Sequence, residues 1–140
     1  MEYDSLELYS LILKLQSICE TSGDKKFNKE ILSVKSRILF LIYQYKQISP
    51  TTLVEELKMA KSNVALFCKK LLQEQLIISK QDKLDKRVIY YCLTKKGQKV
   101  ITNNLKTISD KIVLSSSQSN LKNISKSTKM LYESISKLGV

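Results

Sequence analysis

The sequence has no histidine at all, one proline, three glycines and three cysteines. Each shortage excludes something. Without histidine the usual general base is missing, and no nucleophile-base pair or Gly-rich phosphate loop takes its place. An enzyme is therefore not expected. Cys19, Cys68 and Cys92 are far apart, follow no metal-type spacing and have no histidine to complete a mixed zinc site. No metal or other cofactor is expected, and buried reduced thiols are the plain reading. So little proline and glycine argues against a loop-rich or all-β fold. Long apolar runs are missing too. The longest, Ile38 to Tyr43, is far short of the roughly 20 residues that a membrane span needs. The opening acids Glu2, Asp4 and Glu7 are the opposite of a basic secretory leader. The expected location is the cytoplasm, with no membrane partner.

What is present is an ordinary apolar share, 43%, and a net charge of +11 over 140 residues. Such a chain can hold one domain with extensions, rich in Leu, Ile, Lys, Ser and Gln and mainly helical. The charge is unevenly spread. Met1 to Ser22 carries one base and four acids, net −3. Gly23 to Lys99 carries seventeen and seven, net +10, and Val100 to Val140 six and two, net +4. A basic block inside a foldable sequence points to a polyanionic partner. The alternative is a solvated lysine-rich surface.

In chain order, about Tyr3 to Cys19 reads as a helix with Leu6, Tyr9 and Leu13 on one side and Leu8, Leu11, Ile12, Leu15 and Ile18 on others. A short helix apolar on more than one face must be covered by other elements or by a second chain. Thr21 to Lys26 breaks the pattern. A second helix is expected from about Asn28 to Tyr45, its apolar centre Ile38 to Tyr43 forming the core spine. Gln47 and Ile48 allow a very short strand.

Ser49-Pro50 is a helix start, with Ser as N-cap and Pro in the first turn. The helix that follows, to about Lys58, turns Leu53 and Leu57 inward. Met59 and Ala60 form a turn, and a further helix runs from Lys61 to about Gln75. Val64, Phe67, Cys68 and Leu71 share one of its faces. At roughly 100° per residue the opposite face carries Ser62, Leu66, Lys69 and Gln73, flanked by Asn63 and Ala65. This is a helix-turn-helix pattern. A strand begins at Leu76, the polar run Ser79 to Arg87 follows, and the β-branched and aromatic Val88 to Leu93 predicts a returning strand. A charged hairpin behind a recognition-like helix is a wing. Thr94 caps the next helix, where Lys95 and Lys96 sit against the macrodipole; this suggests an external anion or a solvated pair.

The stretch resembles the MarR family of winged-helix regulators. The resemblance is carried by LVEEL (Leu53 to Leu57), AKSNVALFCKKL (Ala60 to Leu71), DKR (Asp85 to Arg87) and LTKKG (Leu93 to Gly97), in that order and spacing, over about a third of the chain. Three positions depart from the family pattern. Ala60 stands where a capping Ser is common, Gln75 where Gly is common, and Ser79 where Arg is common, with Lys80 able to compensate. The resemblance implies a dimer whose N- and C-terminal helices interleave. It also implies release from DNA by a small molecule or by oxidation, with an effector pocket between the dimer helices and the winged domain.

Beyond Gly97, Ile101, Leu105, Ile108 and Ile112 step along a helix, and Ser115 to Asn120 reads as a kink or loop. Leu121, Ile124, Thr128, Leu131, Ile135 and Leu138 then form a heptad stripe, a seam for another helix. A homodimer seam and an intrachain bundle both satisfy it. The expected fold is mainly α with a small β-hairpin wing. Residues 30–99 form the winged helix-turn-helix, and residues 1–22 and 100–140 form dimerisation helices.

These readings converge on a regulator, expected to be a repressor, that binds a pseudo-palindromic double-stranded operator as a homodimer. Ser62, Asn63, Ala65 and Leu66 are expected against the major groove, Asn63 bonding adenine and Ala65 or Leu66 meeting thymine methyls. For an outward Leu66 the duller reading is packing on a neighbouring helix. Lys61, Lys69 and Lys70 are expected on phosphates, as are the hydroxyls and backbone N–H groups of Thr51 and Thr52. Lys80, Lys83, Lys86 and Arg87 form the wing's cationic set, with Arg87 or Lys86 expected in the minor groove or on phosphate and Asp85 orienting Arg87 rather than touching DNA. Cys19 is a weak redox candidate, needing a lowered pKa and access. The competing reading is a winged-helix module that binds an acidic protein instead of DNA.

Overall fold

The computed structural model describes residues 33–113 and 118–137, together with Leu6, Glu7, Tyr9, Ser10 and Leu13. Those five are helical and exposed. The remaining N-terminal expectations, including the turn at Thr21 to Lys26, lie outside the described residues, as does Cys19. The chain divides into two compact units, Met1–Ile101 and Thr102–Val140.

The described elements are α1 (Val34–Tyr45), β1 (Gln47–Ile48), α2 (Pro50–Leu57), α3 (Lys61–Gln73), β2 (Ile77–Gln81), β3 (Ile89–Leu93), α4 (Lys95–Val113) and α5 (Gln118–Ser136). Mainly helical with a small sheet, this is the winged-helix architecture expected above. Helix α1 starts on Ser33, whose hydroxyl accepts from the Ser36 amide at 3.2 Å. Ile38, Leu39 and Ile42 of α1 are fully buried, Phe40 and Leu41 half-buried, and Tyr43 lies 41% open. The spine is thus buried on one side only, although its sequence is apolar around the circumference. Ser49 caps α2 as expected, with Pro50 in the first turn.

The sheet has three strands rather than the two of a simple wing, in the order β1-β3-β2 and antiparallel throughout. Gln47 and Ile48 pair with Cys92 and Tyr91, while Ile77 to Gln81 pair with Leu93 to Ile89. The polar run Ser79 to Gln81 is therefore strand, not loop. β1 fastens the wing to the end of α1. The core of the unit is made by Ile38, Leu39, Ile42, Ile48, Leu53, Leu57, Val64, Cys68, Leu71, Leu76, Ile77 and Ile101.

Among the described residues, three other than glycine have positive φ: Lys46 (68°), Lys58 (52°) and Gln75 (59°). Each closes a helix. At α3 the Leu76 amide donates to the Leu71 carbonyl at 3.0 Å and the Gln75 amide to Leu72 at 3.1 Å. This is a Schellman ending, with buried Leu71 and Leu76 supplying its usual apolar contact. The motif needs a left-handed residue after the cap, and Gln75 fills it where glycine would be free of strain.

In the second unit, Gln118, Ser119 and Asn120 are the first turn of α5 and not the kink or loop that their polarity suggests. Ser and Asn favour helix starts as readily as loops. Of the heptad stripe, Ile124 is 52% exposed and Leu131 half-buried. The side chains of Leu121, Ile135 and Leu138, and of Ile108 and Ile112 in α4, lie outside the description.

Candidate nucleic-acid interface

Helices α2 and α3 are joined by a left-handed Lys58, whose amide donates to the Val54 carbonyl at 2.9 Å, and by Met59 and Ala60. Val64, Cys68 and Leu71 anchor α3 in the core, with Phe67 half-buried beside them. That anchoring leaves Lys61, Ser62, Asn63, Ala65, Leu66, Lys69 and Lys70 exposed together. Leu66 keeps 52% of its surface open, so among the described residues it is not packed away against a neighbouring helix. No acid occurs in α3, whose three charges are all lysine. The Lys70 ammonium lies 5.7 Å from the Phe67 ring centroid, so a cation-π contact steadies it. Ala60 makes no side-chain cap, and its carbonyl accepts from the Asn63 amide at 3.0 Å and the Val64 amide at 3.1 Å.

Thr51 is exposed at the start of α2, but Thr52 is already engaged. Its amide donates to Ser49 Oγ at 3.1 Å, and the two hydroxyls lie 2.9 Å apart. The capping that the sequence predicts at Ser49 consumes the Thr52 N–H that was expected to reach phosphate. Lys96 also has an internal partner. Its ammonium donates to the Glu74 carbonyl at 3.0 Å, at the negative end of α3. A cation that looked misplaced at the start of α4 is correctly placed for the end of α3. Lys35 pairs with the Glu74 carboxylate, tying α1 to the same point.

The wing tip is built on its two acids. Asp82 Oδ1 accepts from the Leu84 amide at 2.7 Å and the Asp85 amide at 3.2 Å. These two amides, Leu84 first, hold the Asp82 carboxyl below the usual aspartate range. Asp85 Oδ1 accepts from the Arg87 amide at 3.0 Å and from its Nε at 3.1 Å, and Oδ2 accepts from Nη2 at 3.2 Å. The guanidinium, then the backbone amide, lowers the Asp85 carboxyl. The Arg87 side chain is 90% exposed, so this fork adds little to stability. What it does is aim the guanidinium. Lys80, Lys83 and Lys86 are exposed around it. Leu84, which no hydrophobic pattern in the sequence singles out, is 99% exposed at the tip. Its only signal is that it is the one large apolar residue in a polar run.

Cys68 is buried, and burial pushes its thiol up to about 11. Cys92 is half-buried. It lines a cavity of about 520 Å³ with Ile42, Tyr43, Gln44, Lys46, Leu93 and Gln98, between the end of α1, β3 and the start of α4. Among the described residues there is no group of three or more His, Cys, Asp or Glu side chains able to hold a metal ion. No described helix is long and apolar enough to cross a membrane.

Residues 33–89 match the model of the MarR family. Among solved structures, the chain is similar to a MarR transcriptional regulator from Methanosarcina mazei Go1, at 26% identity and TM-score 0.75 over 92% of this chain and 99% of that one. It is also similar to FabT of Streptococcus pneumoniae in complex with DNA, at 21% identity and TM-score 0.62 over 98% and 95% of the two chains. A mutant MarR from E. coli complexed with operator DNA aligns at 13% identity and TM-score 0.62 over 84% and 91%. At those identities the last two likenesses speak for the fold alone. No curated protein matches by sequence. Residues 33–89 thus match the MarR family, on a winged helix that aligns along almost its whole length with the Methanosarcina regulator.

Proposed function

We propose that the chain is a sequence-specific, double-stranded DNA-binding transcriptional regulator, a repressor that acts as a homodimer on a pseudo-palindromic operator. One observation carries this reading. The outward face of α3 presents small and amide side chains at Ser62, Asn63 and Ala65, with lysines at 61, 69 and 70 and no acid in the helix. The small and amide groups suit base edges in the major groove, and the lysines suit its phosphate walls. The wing adds Lys80, Lys83, Lys86 and Arg87, while its two acids are taken up by backbone amides and by Arg87. FabT and the E. coli MarR, which share the fold, are seen bound to DNA.

The dimer reading is supported by apolar side chains that α5 leaves open, Ile124 (52%), Met130 (60%) and Tyr132 (67%). Leu6 (69%) and Tyr9 (62%) are open as well. Two recognition helices in a dimer read half-sites about one turn apart, roughly 34 Å. Release by a small molecule is supported by the space beneath the end of α1.

Selection from a pool of random duplexes tests the proposal. Enrichment of an inverted repeat with half-site centres about 10 base pairs apart supports it. A pool that stays random after binding at low salt overturns it in favour of a protein-binding module.

A further inference from the structure

Leu84 is the most exposed large apolar side chain among the described residues, at 99%. It is not on slack chain. Its amide is held by Asp82 Oδ1 at 2.7 Å, the Asp82 amide donates to the Val88 carbonyl at 2.9 Å, and the Val88 amide donates to Asp85 at 3.0 Å. The turn displays this leucine in a fixed place. Lys80, Lys83, Lys86 and Arg87 lie in the same hairpin and are all exposed, whereas Asp82 and Asp85 are occupied internally.

An apolar tip on a hairpin of exposed cations does not suit a greasy protein groove, which would strip water from the lysines without pairing them. It suits a cleft with anionic walls and a floor of sugars and base edges. The minor groove of duplex DNA is such a cleft, and apolar side chains of this kind are used there. Its floor differs between base pairs mainly by one group, the 2-amino group of guanine, which projects where an inserted side chain must sit.

We infer that Leu84 is a specificity-determining residue that seats in the minor groove and favours A·T over G·C pairs beneath the wing. The inference rests on the DNA-binding proposal and deepens it. The leucine contact is apolar and displaces no phosphate counterion, so it leaves the salt slope unchanged.

The test uses the duplex recovered by selection, with adenines replaced one at a time by 2,6-diaminopurine, which adds only a minor-groove amino group. With the parent protein, replacements beneath the wing are expected to weaken binding about tenfold, the size of a modest mismatch. Leu84→Ala should bind the unmodified duplex about fivefold more weakly per wing, the loss of a partly buried side chain. The same replacements should then cost it little. Leu84→Met should restore both properties, and all three proteins should share one salt slope. If Leu84→Ala matches the parent on the unmodified duplex, or loses as much to diaminopurine, the inference is overturned. If the parent does not prefer the selected duplex to a scrambled one, the DNA reading itself fails and the inference with it. The parent measurement alone separates the two failures.

Discussion

Gly97 approaches the Leu76 carbonyl so closely that a β-carbon on it would stand 2.0 Å from the oxygen. The contact is part of a clamp between the end of α3 and the start of α4. Leu76 O accepts from the Thr94 amide at 3.1 Å, Thr94 Oγ1 donates to Gln75 O at 2.7 Å, and the Gly97 amide donates to Thr94 Oγ1 at 3.0 Å. The LTKKG sequence is therefore an architectural signal. It fixes the first turn of α4 against the end of α3. Gly97→Ala must push backbone from backbone, and a cost of about 3 kcal/mol is expected. Urea unfolding checks this, and an unchanged midpoint would contradict the clamp.

Gln75 is the opposite case. Its left-handed φ of 59° costs roughly 1–2 kcal/mol for a residue with a β-carbon, against about 0.5–1 kcal/mol of extra chain entropy for glycine. Gln75→Gly is expected to raise stability by about 0.5–1 kcal/mol, seen as a higher urea midpoint with an unchanged slope. A loss of stability would mean that the glutamine side chain makes a contribution larger than its strain.

The thiols should differ sharply in reactivity. With its thiol near 11, Cys68 holds about one thiolate in a thousand at pH 8 and is shielded by the core. Iodoacetamide followed by peptide mapping should leave Cys68 unmodified in the folded protein and label it fully in urea. Rapid labelling of the folded protein would contradict the packing of α3.

The Asp85-Arg87 fork has a pH signature. Its folded carboxyl is depressed, so whatever the pair contributes is complete above the ordinary aspartate value and is lost as pH falls through the lowered one. Nothing changes near neutrality. Arg87→Ala should move the Asp85 carboxyl resonance titration upward, toward the usual aspartate range. An unmoved titration would show that the fork does not form in solution.

Much of this was legible in the sequence because local rules and global packing agree. Ser49-Pro50, the periodicity of α3 and the β-branched Val88 to Leu93 each carry their own instruction, and the structure follows them. The third strand was legible only as the pair Gln47-Ile48, since two residues carry almost no pattern. The partners of Thr52 and Lys96 were not. The first followed from the capping of Ser49, a local rule not carried one step further. The second depends on a contact 22 residues away in sequence, which periodicity cannot reveal. Leu84 was missed because a hydrophobic pattern is a search for what is buried, and this residue is displayed.

The central proposal is most directly tested by fluorescence anisotropy on the selected duplex and a scrambled one across a salt series. The parent and the Asn63→Ala and Arg87→Ala variants would be compared. A specific regulator gives a steep salt slope and at least about a thousandfold preference for the selected duplex. Arg87→Ala should then weaken binding to every duplex. Asn63→Ala should mainly relax the preference, by about 1–3 kcal/mol for the lost base contact. Equal binding of both duplexes by the parent, or three proteins that bind alike, would contradict sequence reading by α3.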